Sequence, residues 1–172
     1  TDNIGGRGVP MKQTLYELLV SYIVENQNKF YRVAYSYARN QEDALDIVQN
    51  AVCKALESYK NLRNADAVKT WFYRILINES LAAIKQRKKE LLSDDNPQKE
   101  EAYYEKGYEQ QDDIKEELDR LEEDIQTIIR LRFFEELSLK EISEITGLNL
   151  NTVKTKLYRG LKLLRENIQE VS

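Results

Sequence analysis

Residues 138–166 read SLKEISEITGLNLNTVKTKLYRGLKLLRE, and this stretch combines helical spacing with clear start and stop signals. Ser138 and Glu141 can form a capping box, in which each side chain accepts a hydrogen bond from the other residue's backbone amide. Gly147 suits the left-handed conformation that ends a helix, and Asn149 suits the N-cap of the next helix. The stretch therefore predicts a helix–turn–helix.

The second of these two helices is predicted to be amphipathic. Its apolar stripe consists of Leu150, Val153, Leu157, Leu161 and Leu164. At 100° per residue, the opposite face holds Asn151, Thr152, Thr155, Tyr158, Arg159 and Lys162, with Lys154 and Lys156 at its edges. Surface helices of ordinary bundles usually mix acids with bases, whereas residues 150–165 contain no acid. Hydrogen-bonding groups followed by cations are typical of a DNA-recognition helix, since its first turns reach base edges and later cations hold phosphates.

The composition of the 172-residue chain favours an all-α fold, because only 6 Gly and 2 Pro accompany many Leu, Ile, Lys and Glu residues. No His is present, which excludes Ser-His-Asp and Cys-His catalysis and every His-ligated metal site. The single Cys53 excludes an internal disulfide framework and a multi-cysteine zinc site. We see neither a signal peptide nor an apolar run of roughly 20 residues that could span a bilayer, and we expect a cytoplasmic protein.

Charge divides the chain into segments that the formal net charge of −4 conceals. Residues 11–90 carry +4 and residues 150–166 also carry +4, whereas residues 91–117 carry −7 and residues 118–149 carry −4. The acidic stretch near residues 91–113 has no sustained apolar stripe and contains Pro97 and Gly107, so it is interpreted as a flexible linker. We therefore expect two small helical domains, over residues 11–90 and 114–172. Residues 1–10, TDNIGGRGVP, are interpreted as a probable expression-tag remnant before Met11.

The first domain is predicted to contain three helical segments. Asn40 is a suitable N-cap for a helix expected to bury Leu45, Val48, Val52, Ala55 and Leu56. After a loop near residues 61–66, a long helix carries Trp71 and ends in the basic run of residues 85–89. Its cations and aromatic rings could bind single-stranded nucleic acid, although Trp71 could equally be a core residue and the lysines could simply favour the helix C-terminus. In the second domain, residues 114–135 are predicted to form one helix.

Residues 42–46, EDALD, offer a different interpretation. Asp43 and Asp46 share a helix face and could hold Mg²⁺ between diphosphate oxygens, as in a diphosphate-using enzyme. The alternative is a solvated acidic helix start that the helix dipole favours. A diphosphate site would also need a second acidic cluster and a large apolar cavity, and the sequence indicates neither.

Three stretches together resemble the extracytoplasmic-function (ECF) sigma factors, the compact two-domain branch of the sigma-70 family of bacterial RNA polymerase subunits. They are residues 40–56 (NQEDALDIVQNAVCKAL), residues 69–89 (KTWFYRILINESLAAIKQRKK) and residues 131–166 around the helix–turn–helix. They occur in the family's order and spacing, and their amino-acid sequence most resembles the sigma-V type of Gram-positive bacteria. Two departures are the Leu121-Glu122 pair, where many members have Pro, and lysines at 154 and 156 in place of commoner arginines.

The resemblance implies a role for each region. The residues implied to bind the clamp helices of the polymerase β′ subunit are Asp46, Ile47, Val48 and Gln49. The residues implied to recognise and open the −10 element are Asn61, Asn64, Lys69, Trp71, Arg74, Asn78, Lys85, Arg87 and Lys88. The residues implied to recognise the −35 element are Asn151, Thr152, Lys154, Thr155, Lys156, Arg159 and Lys162.

The implied partners are the RNA polymerase core, through its β and β′ subunits, promoter DNA, and an anti-sigma factor that is usually membrane-anchored and releases the sigma factor under envelope stress. No enzymatic activity, cofactor, metal or small-molecule substrate is implied. A free DNA-binding regulator, with the first domain as a dimerisation or sensor module, is the alternative. Such a regulator would footprint DNA without polymerase.

Overall fold

The computed structural model describes residues 14–93, 114 and 116–171, and gives only the backbone for residues 168–171. The predicted tag remnant at 1–10 and most of the predicted linker at 91–113 lie outside the described residues. Within the described ranges every regular element is helical, which confirms the all-α prediction. None of the helices described is long and apolar enough to cross a membrane.

Over residues 14–93, the first domain is a bundle of four helices. They are α1 (Leu15–Glu25), α2 (Gln27–Ala38), α3 (Gln41–Glu57) and α4 (Val68–Leu91), with two short 3₁₀ turns at Tyr59–Asn61 and Ala65–Ala67 between α3 and α4. Helix α4 packs against both α2 and α3, and the core is built around Leu19, Phe30, Ile47, Phe72 and Leu76. Phe30 and Phe72 lie in direct contact, with ring centroids 4.4 Å apart. Burial of these two aromatic rings adds to the apolar area, contributed also by aliphatic side chains, that holds the bundle together.

Over the described part of the second domain, residues 116–119 are helical, and three longer helices and a π-helical turn follow. Helix α5 (Glu123–Ile129) continues into a π-helical turn (Arg130–Phe134), and α6 (Leu139–Thr146) and α7 (Leu150–Val171) follow. Ile125, Ile128, Ile142, Val153 and Leu157 form its core. Helix α7 packs against both α5 and α6, which leaves the opposite side of α7 exposed.

The predicted helix ends are confirmed by their hydrogen bonds. The Asp43 amide donates to the Asn40 side chain at 2.9 Å, and the Glu141 amide donates to the Ser138 hydroxyl at 3.0 Å. Gly147 ends α6 in the left-handed conformation at φ 78°, and the Thr152 amide donates to the Asn149 side chain at 2.8 Å. These caps satisfy amides that helices leave without partners, which is why sequence alone can place them.

Three predictions about the helices were wrong. The first domain has four helices in place of the predicted three, because the chain leaves one helix at Glu25 and begins another at Gln27. Residues 114–135 do not form one helix, because Glu122 adopts a non-helical conformation with ψ 143° before α5. The Gln126 side chain donates to the carbonyls of Asp119 and Leu121, and so stabilises the bend. Leu45 is not buried but 44% exposed, since Ala44, Ile47, Ala51 and Ala55 form the inward stripe of α3.

Candidate nucleic-acid interface

The exposed face of α7 carries most of the side chains predicted to read the −35 element. Asn151, Lys154, Thr155, Arg159 and Lys162 are exposed, and Thr152 is half-buried. The Thr155 hydroxyl donates to the Asn151 carbonyl at 2.9 Å, so Thr155 can still accept a hydrogen bond from a ligand. This face therefore offers neutral donors and acceptors near the helix start and cations further along.

Lys156 is turned away from this face. Its ammonium group contacts Glu122 at 2.5 Å and Asp124 at 3.2 Å, both at the beginning of α5, and its side chain is only 20% exposed. The pKa of Lys156 is raised mainly by its hydrogen bond to Glu122, and the same hydrogen bond lowers the pKa of Glu122. Lys156 thus enters an ion pair within its own domain, and the sequence around it contains no signal for a pairing 34 residues away.

Close packing at Gly160 fixes how α7 lies against α5. A Cβ at this position would lie 2.4 Å from Cγ2 of Ile125 and 2.8 Å from Cδ1 of Ile129. Only a residue without a side chain permits this approach. Gly160 was not recognised as important in the sequence, because an isolated glycine inside a helix carries no sign of what it faces.

Helix α4 presents a second polar face. Trp71, Arg74, Asn78 and Lys85 lie within one sector at 100° per residue, and all but the half-buried Trp71 are exposed. Trp71 also packs against the core, as its alternative interpretation proposed. Asn78 lines a pocket of about 380 Å³ together with Lys54, Glu57, Ser58, Ile75 and Glu79. Lys54 and Glu79 form an ion pair at its wall.

The other residues predicted to contact the −10 element differ in exposure. Asn61 and Asn64 are exposed in the connection before α4, and the Asn64 side chain accepts a hydrogen bond from the Ala67 amide at 3.1 Å. Lys69 is exposed but paired, as described below, and Lys88 is exposed near the end of α4. Arg87 lies opposite the polar face and is only 9% exposed, with its guanidinium directed to the Ala38 carbonyl at 3.5 Å. Arg87 thus packs against the C-terminal end of α2, and its guanidinium does not point to solvent.

The outward face of α3 holds the residues predicted to bind polymerase. Asp46 and Gln49 are exposed, and Val48 is half-buried. Ile47 is 2% exposed and belongs to the core, where it supports the helix from beneath. Leu45 lies exposed beside Asp46, so this face combines an apolar side chain with polar ones. Sequence reasoning missed Leu45 because it was assigned to the core.

The acidic start of α3 has a structural explanation. The Asp43 amide donates to Asn40, and an Asp43 oxygen accepts a hydrogen bond from the Asn40 side chain at 3.2 Å. Asp43 therefore belongs to the N-terminal cap of α3, as the alternative to a magnesium site proposed. Among the described residues no cluster of His, Cys, Asp or Glu could hold a metal ion.

Comparison with known proteins identifies the two domains. Residues 22–90 match the family model for sigma-70 region 2, and residues 111–164 match the model for sigma-70 region 4. The chain is 47% identical to RNA polymerase sigma factor SigV of Bacillus subtilis over 154 residues, which covers 90% of this chain and 93% of that protein. The chain belongs to the sigma-70 family.

Within that family it is an ECF sigma factor. The ECF RNA polymerase sigma factor SigW of Bacillus subtilis is 28% identical to it, over 84% of this chain and 86% of SigW. Solved structures support the fold. CnrH in complex with the cytosolic domain of CnrY matches with a TM-score of 0.71 at 15% identity, over 90% of this chain and 89% of that one. The sigma factor RpoE of Bartonella quintana, in complex with the anti-sigma factor NepR, matches with a TM-score of 0.67 at 23% identity, over 87% and 95%. The family consists of transcription initiation factors.

Proposed function

We propose that this sigma factor directs RNA polymerase core to promoters that carry a particular pair of −35 and −10 elements, and helps to open the DNA there. The observation that carries the proposal is that both family regions are present and each exposes its own polar helix face, on α7 and on α4. Two domains that each bind DNA weakly can together bind a promoter tightly when one polymerase holds both, because the second contact becomes intramolecular.

In this proposal α7 lies in the major groove of the −35 element. Asn151, Thr152 and Thr155 contact base edges, while Lys154, Arg159 and Lys162 hold phosphates or guanines. Each good base contact discriminates by about 1–3 kcal/mol. Lys156 contributes only after it leaves Glu122 and Asp124.

Helix α4 traps the opened −10 strand. Trp71 offers a partly exposed ring for stacking, Arg74, Lys85 and Lys88 hold the backbone, and Asn61, Asn64 and Lys69 border the strand. The pocket at Asn78 receives a flipped base, and the side-chain amide of Asn78 can form a hydrogen bond with that base. Flipping costs a few kcal/mol, so a pocket that binds only the flipped base shifts the equilibrium toward open DNA without any catalytic group.

The outward face of α3, with Leu45, Asp46, Val48 and Gln49, docks on the β′ subunit of polymerase, and other surfaces meet β. An anti-sigma factor that is anchored in the membrane holds the sigma factor inactive in the cytoplasm until an envelope stress releases it. The structural neighbour RpoE of Bartonella quintana, which is bound to the anti-sigma factor NepR, supports this regulation. The proposal requires no enzymatic activity, cofactor or small-molecule substrate.

Run-off transcription tests the proposal directly. Fragmented genomic DNA from the source bacterium is transcribed by core polymerase with and without the protein, and we expect discrete starts only when it is present. Those starts also reveal the −10 and −35 elements. If no new starts appear while the protein alone footprints DNA, it is instead a free DNA-binding regulator.

Variants should separate the contribution of α7 to transcription from that of α4. We expect the double variant Lys154→Ala, Arg159→Ala to reduce transcription from promoters that depend on the −35 element at least tenfold, and to leave binding to core polymerase unchanged. Asn78→Ala should reduce permanganate reactivity at the −10 element more than it reduces duplex binding. Equal loss of core binding in the double variant would contradict the assignment of α7.

A further inference from the structure

A pocket lies between α2 and the end of the π-helical turn, and none of the residues predicted to bind DNA or polymerase lines it. Its volume is about 550 Å³, within the range of about 300–1,000 Å³ that is usual for small-molecule sites. The α2 wall carries Lys29, Tyr31, Arg32 and Tyr35, and residues 134–136 form the other wall. The pocket therefore has room for a small ligand and side chains of more than one chemical kind to bind it.

Aromatic rings form the apolar part of this pocket. Tyr31 and Tyr35 lie one turn apart on α2, with ring centroids 5.8 Å apart, and both residues are half-buried. Phe134, on the other wall, is 43% exposed. A flat ring system between the walls would remove this apolar surface from water, and nucleobases stack on such side chains whatever their sequence.

Two cations on α2 border the same rings. Lys29 is exposed, and the Arg32 side chain is 59% exposed, with Nη2 3.5 Å from Oε2 of Glu135. A guanidinium group has five N–H donors, so this contact leaves Arg32 able to bind an anion as well. Arginine binds phosphate oxygens through paired N–H groups, and lysine binds them as a point charge. Rings beside two cations match the chemistry of a base that carries phosphates.

A carboxylate in the pocket wall has an oxygen that lacks a donor. The Glu135 side chain is 1% exposed, and its Oε1 has no hydrogen-bond partner among the described residues. The terminal torsion of a glutamate turns readily, so this oxygen can be presented to a ligand, and a donor there would remove the cost of leaving it unsatisfied. Adenine and guanine each have an exocyclic amino group that can donate such a bond.

Backbone strain at the rim is a further sign of a ligand site. Glu136 has φ 53°, in the left-handed region that residues with a Cβ adopt only at a cost in free energy. Strained residues of this kind cluster at ligand-binding and active sites.

We propose that this pocket binds a purine nucleoside triphosphate, with the base against the three aromatic rings and the phosphates on Lys29 and Arg32. The proposal goes beyond the sigma function and does not depend on it. Glu136 is exposed at the same pocket, and its negative charge opposes the phosphates. Removal of that charge should therefore tighten the binding of the nucleotide.

Isothermal titration calorimetry of the full chain with ATP and with GTP, at fixed salt and without DNA, tests the proposal. We expect one site per chain and a Kd below about 0.1 mM for at least one of the two nucleotides. Inorganic triphosphate should bind at least about tenfold more weakly, because it has no base to stack. A Kd above that limit for both nucleotides would overturn the proposal, as would equal affinity for inorganic triphosphate.

Variants separate the phosphate contacts from the base contacts. Lys29→Gln and Phe134→Ala both change exposed side chains, and we expect each to weaken nucleotide binding at least about fivefold. Lys29→Gln should also weaken the binding of inorganic triphosphate, whereas Phe134→Ala should leave it unchanged. Lys140→Gln, at an exposed position of α6, is the matched control for loss of one positive charge, and Glu136→Gln should bind ATP more tightly than the wild type. Unchanged nucleotide affinity in both Lys29→Gln and Phe134→Ala would overturn the proposal.

The pocket at Asn78 is the competing site for a nucleotide. We expect Asn78→Ala to change nucleotide affinity less than about twofold, since that pocket is proposed for a base of the promoter strand. Loss of nucleotide binding in Asn78→Ala but not in Lys29→Gln would place the nucleotide on α4 and overturn the assignment to this pocket. Run-off transcription by the wild type tests the sigma function separately, so failure of either proposal leaves the other standing.

Discussion

At the scale of single residues, the ion pairs of Lys156 decide which cations are available to DNA. Lys154 and Lys156 are two positions apart in the sequence, yet Lys154 is exposed and Lys156 binds Glu122 and Asp124. The two lysines therefore differ in exposure and ion pairing although their local sequences look alike. An exposed ammonium group can replace counterions on a phosphate, whereas a paired one must first lose its partners.

Release of Lys156 should add a phosphate contact. In the double variant Glu122→Gln, Asp124→Asn, the ammonium group loses both carboxylates, and we expect the logarithm of the duplex-binding constant to fall more steeply with the logarithm of salt concentration, by about 0.9. Fluorescence anisotropy over a salt series measures this slope. Addition of Lys156→Ala to the double variant should restore the original slope. A slope that stays steep in the triple variant would show that lost acidic charge, and not Lys156, causes the change.

At the scale of the elements, the second domain depends on the close approach of α5 and α7 at Gly160. This approach sets the angle at which the recognition helix projects from the domain, because α5 supports α7 on the side opposite to the exposed face. The prediction that residues 150–164 form an amphipathic helix is confirmed, with Val153 and Leu157 buried. Leu150, at the end of the predicted apolar stripe, is 39% exposed because it begins the helix beyond the reach of α5.

Gly160→Ala should destabilise this domain. The new Cβ would overlap Ile125 and Ile129, and overpacking of this kind typically costs about 1–3 kcal/mol. The better helix propensity of alanine offsets up to about 1 kcal/mol of that cost. Urea unfolding measures the change. Ile125→Leu moves the overlapping methyl group, so the double variant should lose less stability than the sum of the two single variants; simple additivity would contradict the packing argument.

At the scale of the whole molecule, the contact between the two domains contains a carboxyl group that is expected to respond to pH. The Tyr73 hydroxyl donates to Glu135 at 3.3 Å, and Arg32 lies 3.5 Å from the same oxygen. Burial raises the pKa of Glu135, although Arg32, the Tyr73 hydroxyl and Lys29 act in the opposite direction. A carboxyl whose folded pKa is raised binds more protons when the domains are packed together. The contact between the domains is therefore stabilised as pH falls through the raised pKa, and loses that contribution as pH rises above it.

Glu135→Gln should strengthen the contact between the two domains at neutral pH, because the amide resembles the protonated carboxyl and carries no buried charge. We expect the variant to have a smaller radius of gyration than the wild type at pH 7, and the difference to disappear between pH 7 and pH 5. Small-angle X-ray scattering at both pH values measures this. Glu136→Gln, at the exposed neighbouring position, is the matched control. A larger radius of gyration in Glu135→Gln would show that the Arg32 ion pair, and not desolvation, dominates at this site.

Local signals in the sequence determined most of the helices, their caps and the two exposed polar faces that are proposed to contact DNA. Asn40, Ser138, Gly147 and Asn149 act within four residues of the atoms they bind, and helical periodicity depends only on spacing, so both can be predicted from a chain alone. The family follows from the same stretches and is shown by the match to both sigma-70 regions. The bend at Glu122 was missed because Gln126 stabilises it through a side chain that has no distinctive pattern.

Only the tertiary structure decided which of the predicted side chains are available. Lys156 is paired 34 residues away, Arg87 is buried against α2, Ile47 lies in the core, and Lys69 meets Glu141 from the other domain. Leu45, predicted to be buried, is exposed because the inward stripe of α3 consists of Ala44, Ile47, Ala51 and Ala55. Exposure and ion pairing depend on distances between segments far apart in the chain, and periodicity carries no information about those distances.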